Sequence, residues 1–387
     1  MYRFFVLLSV LIFQSRILGA QNQSETGAYI GWVGTYQGNR LSRGGELAKQ
    51  TGFKTVRLPL LPSAEKDFGF GKRCHNDVTL TDLVSLSHYR KIISNPFFNT
   101  VILTIWGSGR SYLACRDRNV FFQYPLKKYL DHRFYYDQAE MDLLEKEYEN
   151  LTYWLLKTNR GTSKKFILIN WEGDNEIYCG AAWFYAVDEK FRQQCGDLTR
   201  IHSRTEALRK FFVLRDRGIK KGRVRACADS LCGPKDARVL SAIEFNSVRF
   251  LREKNYPNIL DDVISSVPQA DFYSYSAYES LNDQKLREDL KELQIRFGDK
   301  LMVGEFGFDR ALIPDFEEQA REAVAVMGEL GIFYKIWWQI FDQPPAAGDK
   351  GLSGLYDQQG NITALGRIFK KHPLRPKKAS DWTLCDF

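Results

Sequence analysis

The stretch Leu301-Met302-Val303-Gly304-Glu305-Phe306-Gly307 sets a short apolar run directly before an acidic side chain. Such a run reads as a strand of a parallel sheet, and the acidic residue then stands at the strand's C-terminal tip, where parallel α/β proteins gather their chemistry. Taken alone, Glu305 serves equally well as a helix cap or as the partner of a nearby Lys or Arg. A second strand-end carboxylate upstream changes that balance. Residues 166–171, Phe-Ile-Leu-Ile-Asn-Trp, run straight into Glu172-Gly173-Asp174-Asn175-Glu176.

Outward from these two runs, strand-like and helix-like segments alternate along the chain, a pattern that predicts a parallel sheet with crossover helices. The remaining strands are expected at residues 28–33, 55–60, 100–106, 239–246, 271–276 and 333–340, with helical periodicity between them, as in 80–94, 139–157, 205–217, 285–296 and 316–330. Eight strands with intervening helices is the count that closes a barrel, so the expected fold is a single (β/α)8 barrel with elaborated loops at its C-terminal face. No repeat, low-complexity tract or linker divides it. The tail from Pro373 reads as an extended, solvated segment.

Residues 1–20 stand apart from this fold. Arg3 precedes an apolar run from Phe4 to Phe13, and Gly19-Ala20 offers a cleavage point before Gln21, which is the layout of a secretory signal peptide. Export is therefore expected, with residues 21–387 as one catalytic domain and no membrane span in the mature chain. The seven cysteines fit an oxidising compartment. Their spacing suggests the pairs Cys227–Cys232, Cys179–Cys195 and Cys74–Cys115, with Cys385 left over. Sequons begin at Asn22, Asn150 and Asn361.

A formal charge of +8 falls to +6 once Arg3 and Arg16 are removed, and the basic residues are scattered with acidic ones between them. No continuous basic stripe exists to track a phosphate backbone, so nucleic acid is not an expected partner. There is no His-Glu-x-x-His pair, Gly-x-Ser-x-Gly elbow or Gly-Lys-Ser/Thr loop, and the five histidines are dispersed; neither a metal nor any other cofactor is implied. A monomer is expected.

What the strand tips do offer is a carboxylate pair. Tips four and seven face each other across an eight-stranded mouth, and two carboxylates about 5 Å apart suit retaining glycoside hydrolysis. In this arrangement the chain resembles the large clan A of retaining glycoside hydrolases on the (β/α)8 barrel, whose acid/base Glu follows strand four and whose nucleophile Glu follows strand seven. The resemblance covers roughly residues 29–368. It implies that Glu172 is the acid/base and Glu305 the nucleophile, and that Arg57 in Val56-Arg57-Leu58-Pro59 is the strand-two Arg beside the nucleophile. It further implies that Tyr275 hydrogen-bonds the nucleophile and that Trp338 floors the sugar subsite. Gly354-Leu355-Tyr356-Asp357 with Gly360-Asn361 resembles the clan's segment after strand eight. On this reading Arg57 and Tyr275 lower the pKa of Glu305, and burial beside Trp171 raises that of Glu172.

One departure concerns the acid/base. The clan has Asn directly before that Glu, whereas Trp171 precedes Glu172 and Asn170 lies one residue earlier. Asn175-Glu176 supplies the dipeptide, but would need a strand running through Gly173 and Asp174, which β-propensity disfavours; Glu172 is preferred. Glu244 and Asn246 add a polar pair at the end of strand five, and Asn246 is expected to take over contacts of the displaced Asn. Trp32, Trp106, Trp171, Tyr275, Tyr278, Trp337 and Trp338 offer faces to sugar rings or to the core, and of the consecutive pair 337–338 only one can point inward. The main rival from another class is a secreted carbohydrate-binding barrel without catalysis.

Overall fold

The computed structural model describes residues 25–30, 40–60, 79–107, 129–282, 284–342 and 352–371. Its eight strands are β1 (Glu25–Tyr29), β2 (Thr55–Pro59), β3 (Thr100–Thr104), β4 (Lys165–Ile169), β5 (Arg238–Phe245), β6 (Phe272–Ser276), β7 (Leu301–Phe306) and β8 (Tyr334–Trp337). They pair in parallel in chain order, and β8 returns to β1 to close the barrel. The (β/α)8 barrel expected from the alternation is thus the fold.

Closure sorts each strand's side chains by alternation. Ile102, Ile167, Ile169, Ala242, Met302 and Ile336 fill the interior. Their neighbours Val101, Leu103, Phe166, Leu168, Ile243 and Val303 belong to the outer apolar set. Strand β1 begins three residues before its expected start at Ala28. Its first residue is polar because it serves the barrel's floor, where the Glu25 carboxylate accepts from the hydroxyls of Thr55 and Thr100.

The crossover from β3 to β4 contains the helix Gln138–Thr158, and that from β4 to β5 contains the helix Leu198–Ala228. The second is longer than the periodic segment 205–217 predicts. Asp197 starts it by accepting from the Arg200 backbone N–H. It then runs so close to its partner that a Cβ at Gly218 or Gly222 would lie 2.4 or 2.6 Å from the carbonyl oxygens of Glu145 and Glu149.

Short helices at Gly173–Ile177, Ala182–Val187 and Glu189–Cys195 build the loop above β4. The Cys179–Cys195 disulfide spans that loop with its Cα atoms 5.8 Å apart, as the spacing suggested. Cys227 and Cys232, by contrast, are free thiols. The helix ends between them in a turn fixed by Leu231 N–H donating to Ala226 O at 2.9 Å, which leaves the two thiols hydrogen-bonded rather than joined. Cys74, Cys115, Cys385, Trp32, Asn22 and residues 1–20 lie outside the described residues. Among those described, no helix is long and apolar enough to cross a membrane.

Candidate active site

At the C-terminal end of the barrel the interior becomes polar, and the layer is organised around one buried cation. Arg57, on β2, donates from Nη1 and Nη2 to the two carboxylate oxygens of Glu244 on β5, at 2.7 and 2.8 Å. Its Nε donates to Thr104 Oγ1 at 2.8 Å and Nη1 also reaches the Gly304 carbonyl at 2.9 Å. Ser274 Oγ and the Glu172 backbone N–H complete the shell of Glu244. Arg57 and Glu244 are both fully buried. Burial alone would depress Arg57, but Glu244 and Glu305 more than reverse that and hold the guanidinium charged.

Glu305 enters this layer because β7 is irregular. Met302 points inward and Val303 outward, so strict alternation would turn Gly304 inward and Glu305 away from the mouth. The register shifts between Val303 and Phe306 against β8, which re-aims Glu305 to the interior while Phe306 stays in the outer core. Gly304 has no room for a side chain: a Cβ there would sit 2.1 Å from Ser274 Oγ and 2.2 Å from Glu244 Oε2.

The Glu305 carboxylate lies 3.4 Å from Arg57 Nη1 and accepts from the Trp171 indole, yet its Oε1 has no hydrogen bond. Burial raises its pKa well above the ordinary carboxylate value; Arg57 opposes this, while Glu244 and Glu172 add to it. The expected lowering by Arg57 and Tyr275 is therefore reversed. Glu244 takes the bidentate face of Arg57, and Tyr275 is elsewhere: its hydroxyl pairs with Ser280 Oγ at 2.6 Å and its ring stacks on Phe245 outside the barrel. The tyrosine in the field of both Glu172 and Glu305 is Tyr278, at the start of the helix Tyr278–Asn282.

Each polar residue of the 172–176 run has its own task. Glu172 accepts from Ser276 Oγ at 2.5 Å and from the Asn175 amide. Asp174 ties the loop down, accepting from the backbone N–H groups of Asn246, Ser247 and Ile259. Glu176 faces a cavity of about 1280 Å³. Burial pushes the Glu172 pKa up to about 7, with its two hydrogen bonds pulling the other way. Glu176 is also raised well above normal, by burial and then by Glu172.

That shift has a stability consequence. The folded state favours the protonated Glu172, so its contribution is fully present below about pH 4.5 and is lost as pH rises through about 7. At about 1.36 kcal/mol per pKa unit the buried anion costs up to roughly 3 kcal/mol above that range. Glu172→Gln should accordingly be more stable than wild type in urea titrations at pH 8 and no more stable at pH 4. Equal stability at both pH values would contradict the buried-anion account.

The aromatic expectations divide. Trp338 turns inward and packs on Tyr29 with ring centroids 4.6 Å apart, and Tyr29 in turn lies under the Arg57 guanidinium. Together with Trp171 these two rings line the cavity. Trp337 points outward, its indole donating to Ser353 O. Trp106 does not reach the mouth: it is only 4% exposed and packs on Phe211 of the long helix. Asn246 does not touch either carboxylate; its side chain accepts from the Asn175 backbone N–H. Asn170 bridges to the Glu244 backbone, donating to its carbonyl at 2.8 Å and accepting from its N–H at 2.9 Å, and so extends the β4–β5 pairing by one rung. The sequence reading gave no role to Tyr29, Ser274 or Ser276.

No protein-family model and no curated protein matches the sequence. Solved structures do. The exo-β-1,4-mannosidase Op5Man5 from Opitutaceae bacterium strain TAV5 superposes with a TM-score of 0.55 at 13% identity, over 91% of this chain and 61% of that one. A hyperthermophilic β-glucosidase from Pyrococcus furiosus gives 0.53 at 10% identity, covering 88% and 84%. The GH1 β-glucosidase from Exiguobacterium antarcticum B7 gives 0.53 at 10% identity, covering 88% and 87%. This chain has the (β/α)8 fold of the clan A glycoside hydrolases.

Proposed function

We propose that the protein is a secreted retaining glycoside hydrolase, exported by residues 1–20 and acting through residues 21–387, with Glu305 as nucleophile and Glu172 as acid/base. The observation that carries this is that Glu172 and Glu305, from the tips of β4 and β7, are buried in one polar layer: Glu305 lies 3.4 Å from Arg57 Nη1, Arg57 holds Glu244, Glu244 accepts from the Glu172 backbone N–H, and the adjacent Trp171 lines the cavity. A Glu305 oxygen attacks the anomeric carbon as Glu172 gives its proton to the departing glycosidic oxygen. Glu172, now a carboxylate, takes a proton from water as that water attacks the same carbon and releases Glu305. Arg57 and the Trp171 indole work against the burial that raises Glu305, and burial of Glu172 keeps it protonated up to about pH 7. Trp338, Trp171 and Tyr29 supply flat faces for sugar rings. Glu172 is preferred to Glu176 as acid/base because its carboxylate accepts from Ser276 Oγ at 2.5 Å, and Ser276 is the residue of β6 in register with Glu305. The carbohydrate partner is an oligosaccharide, polysaccharide or glycoconjugate.

The test is a screen of aryl glycosides and polysaccharides with wild type and Glu305→Gln, followed by NMR of the first-formed sugar. Cleavage with retained configuration, lost in the variant, is expected. If wild type cleaves nothing yet binds glycans, and the variant binds equally well, the chain is a carbohydrate-binding barrel instead.

A further inference from the structure

The cavity that begins at Trp171, Trp338 and Glu176 continues to a wall formed by residues 131–133 and by the first turns of the helix Leu198–Ala228. That wall carries two guanidinium groups without a carboxylate partner, Arg200 and Arg204. They are four residues apart, so they share one face of the helix, where like charges repel. Among the described residues, the two nearest acidic side chains of this wall are engaged elsewhere. Asp131 is engaged by Arg133 through Nε and Nη2, and Asp197 is occupied in capping the helix. Among the described residues neither Arg200 nor Arg204 has a salt bridge to an acidic side chain.

Both side chains are nonetheless held in place. Arg204 donates from Nη1 to Ile177 O at 3.0 Å and to the two sulfurs of the Cys179–Cys195 bridge, and from Nη2 to Cys195 O at 3.0 Å. Among the described residues these bonds engage Nη1 and one Nη2 hydrogen of the five guanidinium donors and leave Nε and the other Nη2 hydrogen for a ligand. The Arg200 stem lies across Gly196, which has φ of +111°, and a Cβ there would stand 2.6 Å from Arg200 Cδ. Burial and the neighbouring Arg200 both disfavour the charged form of Arg204, so the free protein bears a cost that an anion in the cavity would remove.

We propose that this end of the cavity is a subsite for an anionic substituent, a carboxylate or a sulfate, on a sugar unit of the substrate away from the bond that is cleaved, with Arg204 and Arg200 as its ligands. The inference rests on the glycosidase reading of Glu172 and Glu305. Arg204 offers the fork of donors that fits a planar or tetrahedral oxyanion, and Arg200 adds charge at the rim. The aromatic floor takes the sugar rings, and the arginine wall selects among glycans by charge.

The test uses Glu305→Gln to stop turnover and measures Kd by calorimetry for three matched oligosaccharides: neutral, uronate-bearing and sulfated. The anionic ligands should bind about tenfold or more tightly than the neutral one at low ionic strength, a preference that shrinks as salt is raised. Arg204→Gln should remove about tenfold of that affinity. Arg200→Gln, at an exposed position that does not endanger folding, should remove a smaller part, and neither should alter neutral binding. Whichever anionic ligand binds more tightly identifies the group. If the neutral ligand binds as well as both anionic ones, or if the arginine variants leave the ratio unchanged while wild type still cleaves neutral glycans, the subsite is wrong and the glycosidase stands. If none of the three ligands binds and wild type cleaves no glycan, both fall.

Discussion

Glu305→Ala should lower turnover by on the order of 10⁴-fold or more, because in the proposed mechanism it deletes the group that forms the covalent intermediate and not merely one that assists it. Added azide then fits the space left by the carboxylate and attacks the anomeric carbon directly, giving a glycosyl azide of inverted configuration. Glu172→Ala should behave differently. General acid catalysis is worth roughly 10² to 10⁴ and matters most where the leaving group is a poor one, so aryl glycosides with acidic phenols should be only mildly affected. Deglycosylation in that variant lacks its base, and azide should restore it with retained configuration. Should Glu176→Ala give this second pattern while Glu172→Ala is nearly silent, the acid/base is Glu176. Inversion by the wild type would end the retaining mechanism altogether.

How much of this geometry a reader could draw from the sequence depends on which physical signal each residue leaves. The strands were legible because parallel barrel strands are covered on both faces and appear as apolar runs. The acidic tips were legible for the same reason, since Glu172 and Glu305 interrupt such runs. The start of β1 was not, because Glu25 and Thr26 are polar, and Glu25 answers to the hydroxyls of Thr55 on β2 and Thr100 on β3. Tyr275 was mistaken for the site tyrosine although alternation carried the correction: Phe272, Ser274 and Ser276 share the inward face, so Tyr275 must face out. Tyr278, which approaches the carboxylates, sits after the strand has ended, where alternation no longer applies. The inward turn of Glu305 depends on a shift of register that only Gly304 hints at. The role of Glu244 was within reach, since it lies two residues beyond Ala242 on the same face. A formal pairing with Arg57 across the barrel, 187 residues away, leaves no local trace in either segment.

That pairing sets the second large effect. Arg57→Met should destabilise the fold by about 3–5 kcal/mol, the range for removing one partner of a buried ion pair. The loss is chiefly what remains behind: Glu244, fully buried, keeps only Ser274 and the Glu172 backbone as donors, and Thr104 and the Gly304 carbonyl each lose one. A double variant, Arg57→Met with Glu244→Gln, no longer buries an unpaired charge and should recover a good part of the loss, so the two changes will not add. Urea titrations of the wild type, both single variants and the double variant at pH 7 give the coupling directly. A cost below about 1 kcal/mol for Arg57→Met, or strict additivity, would show that the pair does not hold the mouth of the barrel together. Activity supplies an independent reading. Arg57 is the charge that opposes the upward shift of Glu305, so its removal favours the protonated nucleophile, and the acidic limb of any residual kcat/KM profile should move to higher pH. A limb that stays in place while stability falls would separate the two roles of Arg57, leaving it as the counter-ion of Glu244 alone.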